Sequence, residues 1–76
     1  MNAARRKRIQ TAIDALNEIM DEVQSIQEEE QEAFGNMPES LQQTDRGTAM
    51  EEAVDTLDEA INSIGDAVDT LSSLTE

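Results

Sequence analysis

Ala53-Val54-Asp55-Thr56-Leu57 returns unchanged as Ala67-Val68-Asp69-Thr70-Leu71, with Ala60-Ile61-Asn62-Ser63-Ile64 between the two, each phrase seven residues after the last. The first half of the chain keeps the same rhythm in Ala12-Ile13-Asp14-Ala15-Leu16 and Ile19-Met20-Asp21-Glu22-Val23. A seven-residue apolar repeat marks helices that bury one stripe against other helices. The two arrays are separated by the only stretch that holds Gly, Asn and Pro together, Gly35-Asn36-Met37-Pro38. The spacing therefore predicts an all-α fold, a two-helix antiparallel hairpin, as one domain over residues 1–76.

The first helix is expected from about Ala4 to Ala33. With Ile9 taken as heptad position a, Leu16 and Val23 also fall at a, Ala12, Ile19 and Ile26 at d, and Ile13 and Met20 at e. In the second helix Met50, Leu57, Ile64 and Leu71 fall at a, Ala53, Ala60, Ala67 and Leu74 at d, and Val54, Ile61 and Val68 at e. Three apolar positions in seven make a stripe wider than a two-stranded seam needs. The hairpin is therefore expected to self-associate into a bundle of four or more helices. The expected oligomer core is Ile9, Ile13, Leu16, Met20, Val23, Val54, Leu57, Ile61, Ile64, Val68 and Leu71. The stripe fades at Gln27 and Glu30, where an acidic run begins, and Gly65 is read as lying on the outer side.

The connection is read as residues 34–47. Gly35-Asn36 offers a helix C-cap, with Pro38 where Pro commonly follows a stop. One helical turn is expected at Pro38-Glu39-Ser40-Leu41, with Phe34, Met37 and Leu41 covering the end of the core. Thr48-Ala49-Met50-Glu51 fits the capping box that opens a helix, and Asp45 is an alternative start. The second helix then runs to about Leu74.

Seventy-six residues make a small domain, and below about 70–80 residues one core rarely supplies more than roughly 3–5 kcal/mol. The chain has no Cys and no His, which removes disulfides and the usual zinc site and leaves association as the remaining support. Serine and cysteine nucleophiles paired with histidine are excluded for the same reason. Asp14, Asp21, Asp55 and Asp69 recur at the outward f position, where repetition serves solubility. No catalytic grouping stands out, so the chain is expected to be a non-enzyme, with no cofactor and no metal. No apolar run approaches the roughly 20 residues that span a bilayer, and a cytoplasmic location is expected.

The net charge is −13, yet four of the five cations are Arg5, Arg6, Lys7 and Arg8. Cations at a helix N-terminus and acids near its C-terminus both oppose the macrodipole, at a few tenths of a kcal/mol each. An antiparallel pair would turn this to advantage by bringing Arg5, Arg6 and Arg8 towards the partner's Glu28, Glu29 and Glu32. Arg46 is the remaining cation, and it stands with Thr48 where the second helix begins. Such a place favours anions, so Arg5, Arg6, Arg8, Arg46 and Thr48 are the candidate ligand-binding residues for a phosphate-bearing molecule. Phe34, Asn36 and Gln43 in the connection are candidates for its specificity. The bland alternative is that these cations pair with acidic surface. The acidic balance argues against direct binding to nucleic acid or to anionic membranes. The alternatives are a mimic of DNA or other protein-binding inhibitor that occupies a basic host protein, and a purely structural oligomerisation bundle.

Residues 29–61, EEQEAFGNMPESLQQTDRGTAMEEAVDTLDEAI, resemble small helical-hairpin proteins of phages and bacterial mobile elements. The shared features are an acidic end to the first helix, a Pro-Glu-Ser-Leu-Gln-type turn, and an Arg-x-x-Ala-x-Glu-Glu-Ala-like second helix. The outline is also similar to phage sponges that sequester cyclic-nucleotide signals of bacterial immunity. That resemblance implies a small, oligomeric, non-catalytic anti-defence protein in the host cytoplasm, binding its ligand between protomers. This chain has no Tyr or Trp, so base stacking would fall to Arg side chains or Phe34.

Overall fold

The computed structural model describes all 76 residues. Helix α1 spans Ala3–Gly35, a single turn α2 spans Glu39–Gln42, and α3 spans Asp45–Ser72. α1 and α3 run antiparallel along each other and give a rod with extents of 58 × 14 × 13 Å. The register is fixed by two cross-helix approaches. Gly65 faces the Met20 sulfur, and the Gln27 side-chain amide donates to the Val54 carbonyl at 3.1 Å and to Asp58 at 3.4 Å.

The seam between the helices uses two of the three apolar rows. On α1, Ile9, Ile13, Leu16, Met20, Val23, Gln27, Glu30 and Phe34 are buried or half-buried, steps of four and three that hold positions a and e. On α3 the same alternation takes Met50, Val54, Leu57, Ile61, Ile64, Val68 and Leu71. All eleven residues expected in an oligomer core thus lie in this intramolecular seam. The seam also outlasts the apolar stripe. Gln27 and Glu30 stay in it, and Gln27 is accepted because its amide meets a backbone carbonyl of the facing helix rather than being left unpaired. Apart from half-buried Ala53 the d row lies outside the seam, and within one chain each long helix has one long neighbour.

Several boundaries differ from the sequence expectation, each for a local reason. α1 starts at Ala3 because the Asn2 side chain accepts from the Arg5 amide at 2.8 Å, a cap that makes the basic stretch helical. Its other end runs through Gly35 to a C-cap at Asn36, with no positive φ anywhere in the chain. The single turn after Pro38 forms as expected, but Leu41 is exposed while Met37 is half-buried. α3 begins at Asp45, the alternative start, rather than at Thr48, because the Thr44 hydroxyl accepts from the Gly47 amide at 3.4 Å. Thr48 sits inside the helix, where its amide donates to the Thr44 carbonyl at 2.9 Å, so the Thr48–Glu51 capping box is not used. α3 ends at Ser72, two residues before Leu74. Gly65 is half-buried against the seam, not on the outer face.

The connection is tied down by Gln42, whose side-chain amide donates to the carbonyls of Phe34 at 3.0 Å and Met37 at 3.1 Å. Those carbonyls are at or just past the end of α1, where backbone acceptors lack helical partners. Gly47 is buried directly over the Gln42 backbone. Together they fold α2 back onto the first turn of α3.

Candidate functional site

The rows on either side of the seam differ sharply in chemistry. On one side the b positions of α1 carry Gln10, Asn17, Gln24 and Gln31, and those of α3 carry Glu51, Asp58, Gly65 and Ser72. On the other side the d positions carry Ala12, Ile19, Ile26 and Ala33 on α1 and Ala53, Ala60, Ala67 and Leu74 in the α3 register. Both helices put the same heptad positions into the seam while running antiparallel. A pseudo-two-fold normal to the plane of the hairpin therefore relates them, and it keeps equivalent rows on the same face. The two d rows make one apolar face along the rod. Ile19 is 51% exposed there, Ile26 43% and Leu74 44%. Two of the five exposed large apolar side chains of the chain, Ile19 and Ile26, lie in the α1 row, and Leu74 follows in sequence register just past the end of α3.

Only three of 76 residues are buried, and the chain exposes 5588 Å². A compact monomer of 8.4 kDa exposes about 4,600 Å². The lone hairpin is therefore an elongated body with surface to spare, and its largest uncovered apolar strip is the d face.

At the open end of the hairpin, Met1, Arg5, Arg8, Ile9 and Ala12 line an open cleft of about 320 Å³. Three of its five lining residues are apolar, and Arg5 and Arg8 bring two guanidiniums to it. Arg5 and Ala12 belong to the d row, so the cleft lies at the margin of the apolar face. Arg6 is exposed but does not line it. Arg46 and Thr48 are exposed at the other end of the 58 Å rod. The candidate ligand-binding residues are thus split between the two ends within one chain. Arg46, however, is itself a d position, one heptad before Ala53. Of the candidates for specificity, Phe34 is half-buried in the seam, while Asn36 and Gln43 are exposed. Met1, Ile9 and Ala12 were not singled out for the cleft from sequence; the only signal was their i, i+3 and i+4 spacing around Arg5 and Arg8.

Charge is distributed unevenly along the rod. The half nearer the connection, residues 20–64, holds thirteen acids and Arg46, a net of −12. The open half, residues 1–19 and 65–76, holds five acids and four cations, a net of −1. No group of three acidic side chains converges where it could hold a metal ion, and no helix is long and apolar enough to cross a membrane. Compared with protein-family models, curated proteins and solved structures, the chain matches none of them.

Proposed function

We propose that this protein acts by binding, without catalysis, as a self-associated hairpin whose apolar d faces meet to complete a bundle of at least four helices. The observation that carries this is the exposed Ile19–Ile26–Leu74 register, opposite a flank that is entirely polar or small. Ile19 and Ile26 are about half exposed, so covering each contributes roughly 0.7–1.5 kcal/mol, half the value for a fully exposed isoleucine, and the four side chains of two copies supply part of what association needs. Light scattering coupled to gel filtration is expected to give an assembly at micromolar concentration. Ile26→Glu should lower its affinity by two orders of magnitude or more, while Gln24→Glu, on the polar flank, should leave it within a few-fold. A stable, folded wild-type monomer at 100 μM (~0.1 mM, a range in which weak contacts reach only about 5–6 kcal/mol) would remove this reading.

A second reading concerns the ligand. The cleft lined by Arg5 and Arg8 fits a phosphate-bearing small molecule, because guanidinium–phosphate pairs are among the stronger charge-assisted hydrogen bonds. The resemblance to cyclic-nucleotide sponges points the same way. In an acidic body an anion settles only where cations gather, and the open half is where the net charge approaches zero. Calorimetry against cyclic di- and trinucleotides is expected to show binding that weakens about tenfold to a hundredfold in Arg8→Ala, a loss of roughly 1.5–3 kcal/mol for a charged hydrogen bond. No heat with any nucleotide would sink the phosphate reading. The strongly acidic half near the connection would then make mimicry of DNA against a basic partner the better account.

A further inference from the structure

We infer that the occupant of the apolar face is a second copy of this chain turned end for end, so that the two connecting segments lie at opposite ends of the pair. This rests on the self-association reading and goes beyond it by fixing which helix meets which. Two hairpins stacked face to face by a two-fold can be arranged in two ways. With the connections together, α1 lies on the partner's α3. With the connections apart, α1 lies on the partner's α1 and α3 on the partner's α3.

Four observations bear on this, the first on the occupant and the other three on the arrangement. First, size: a face of 58 × 14 Å is about 800 Å², the share each partner contributes to an interface of standard size. A second hairpin is the body that matches it along its whole length. Second, the α1 row reads Ala12, Ile19, Ile26, Ala33, the same in both directions, which is what an antiparallel pairing of α1 with itself requires. Third, the two rows agree on one axis. The α1 row is centred between Val23 and Glu22, and the α3 row Ala53, Ala60, Ala67, Leu74 is centred between Ser63 and Ile64. Met20 beside Gly65 and Gln27 bonded to Asp58 put these two centres about one residue apart along the rod, and Gln27 bonded to Val54 about five, so they agree to within about 1.5–7.5 Å. A single two-fold near that level is compatible with both helices.

The fourth observation is electrostatic and decides the orientation. With the connections together, the two halves of net −12 would lie side by side. With the connections apart, each −12 half lies beside a half of net −1 that holds four cations. Interactions of this kind act within roughly 8–10 Å at physiological salt, the spacing of neighbouring helices. The same arrangement carries the partner's Arg46 to the level of Arg5 and Arg8. The cations that a single chain keeps at opposite ends are gathered at each end of the pair, and the proposed phosphate cleft is completed by the second chain.

The test uses the whole chain, which has no cysteine of its own. A spin label on Lys7→Cys, on the outer face of the first turns, reports the distance between the two copies. Connections apart place the labelled residues roughly 45 Å from each other, from the rise of about 1.5 Å per residue on either side of the axis. Connections together place them across one end of the bundle, under about 30 Å even with outward-facing labels, since neighbouring helices are about 8–10 Å apart. A measured mass of two chains with the long distance supports the inference. A mass of two chains with the short distance overturns the orientation and leaves self-association standing. A mass of one chain overturns both, and any larger assembly overturns the pair.

Discussion

Ile13→Asp is expected to abolish the helical fold at 25 °C, with loss of most of the far-ultraviolet helical signal. Ile13 is 4% exposed and Ile61 9%, and they are the only buried large apolar side chains of the chain. A small domain of this kind has about 3–5 kcal/mol to lose. Placing an unpaired carboxylate in the seam removes the packing of the isoleucine and adds several kcal/mol of desolvation. The shorter truncation Ile13→Ala should cost about 2–3 kcal/mol, the low end for core truncations, because the half-buried neighbours can collapse into the gap. Chemical denaturation followed by circular dichroism measures both. An Ile13→Asp protein with wild-type helicity and an unchanged midpoint would show that the a/e seam is not where stability resides.

The two glycines inside α3 are expected to respond in opposite directions to the same substitution. In an exposed helix interior, Gly→Ala is favourable by roughly 1 kcal/mol. Gly65→Ala should follow that rule: its added methyl group would meet only the Met20 sulfur, at 3.9 Å, an ordinary contact. Gly47→Ala should be destabilising by about 1–3 kcal/mol, the usual cost of overpacking. Its methyl group would stand 2.7 Å from the Gln42 Cα and closer still to the Gln42 carbonyl. That backbone cannot yield cheaply, because Gln42 is held to the end of α1 by its bonds to Phe34 and Met37. Thermal melts of the two variants beside the wild type give the signs directly. A stabilised Gly47→Ala protein would mean that α2 does not pack on the first turn of α3.

The connection shows how local signals compete. Thr48-Ala49-Met50-Glu51 satisfies the capping-box pattern, yet Thr44 caps α3 and the helix starts one turn earlier. Nothing in the one-dimensional pattern ranks Thr44 above Thr48. The choice is made by Gly47, the only residue small enough to let the chain fold back over Gln42, and by the carbonyls that Gln42 must satisfy. Gln43 drew notice as a specificity candidate while its neighbour Gln42 holds the turn together, because which of two adjacent amides points inward depends on the α2 turn itself.

The candidate ligand surface divides in the same way. The cations were legible as the few positive charges in an acidic chain, and their chemistry follows from residue type. Their separation to the two ends of a 58 Å rod follows only from the hairpin. So does the role of Ala12 and Ile9 in lining the cleft with Arg5 and Arg8, since a cleft needs surfaces that residue identity alone does not place.

The class of structure is legible in the chain itself: two heptad arrays, long enough to be helices, broken once, and apolar on three rows of seven. What it left open was which two rows the helices would spend on each other. Rows a and d, or rows a and e, give the same alternation of three and four, so spacing cannot separate them. On α3 the e row holds Val54, Ile61 and Val68 while the d row holds mainly alanine, so the larger side chains go inside. α1 presents the equivalent row, which buries or half-buries Ile13, Met20 and Phe34, even though that puts Gln27 in the seam and leaves Ile19 and Ile26 about half exposed. Burial is a property of the pair of helices and not of either one, and only the tertiary structure could show which apolar face was left uncovered.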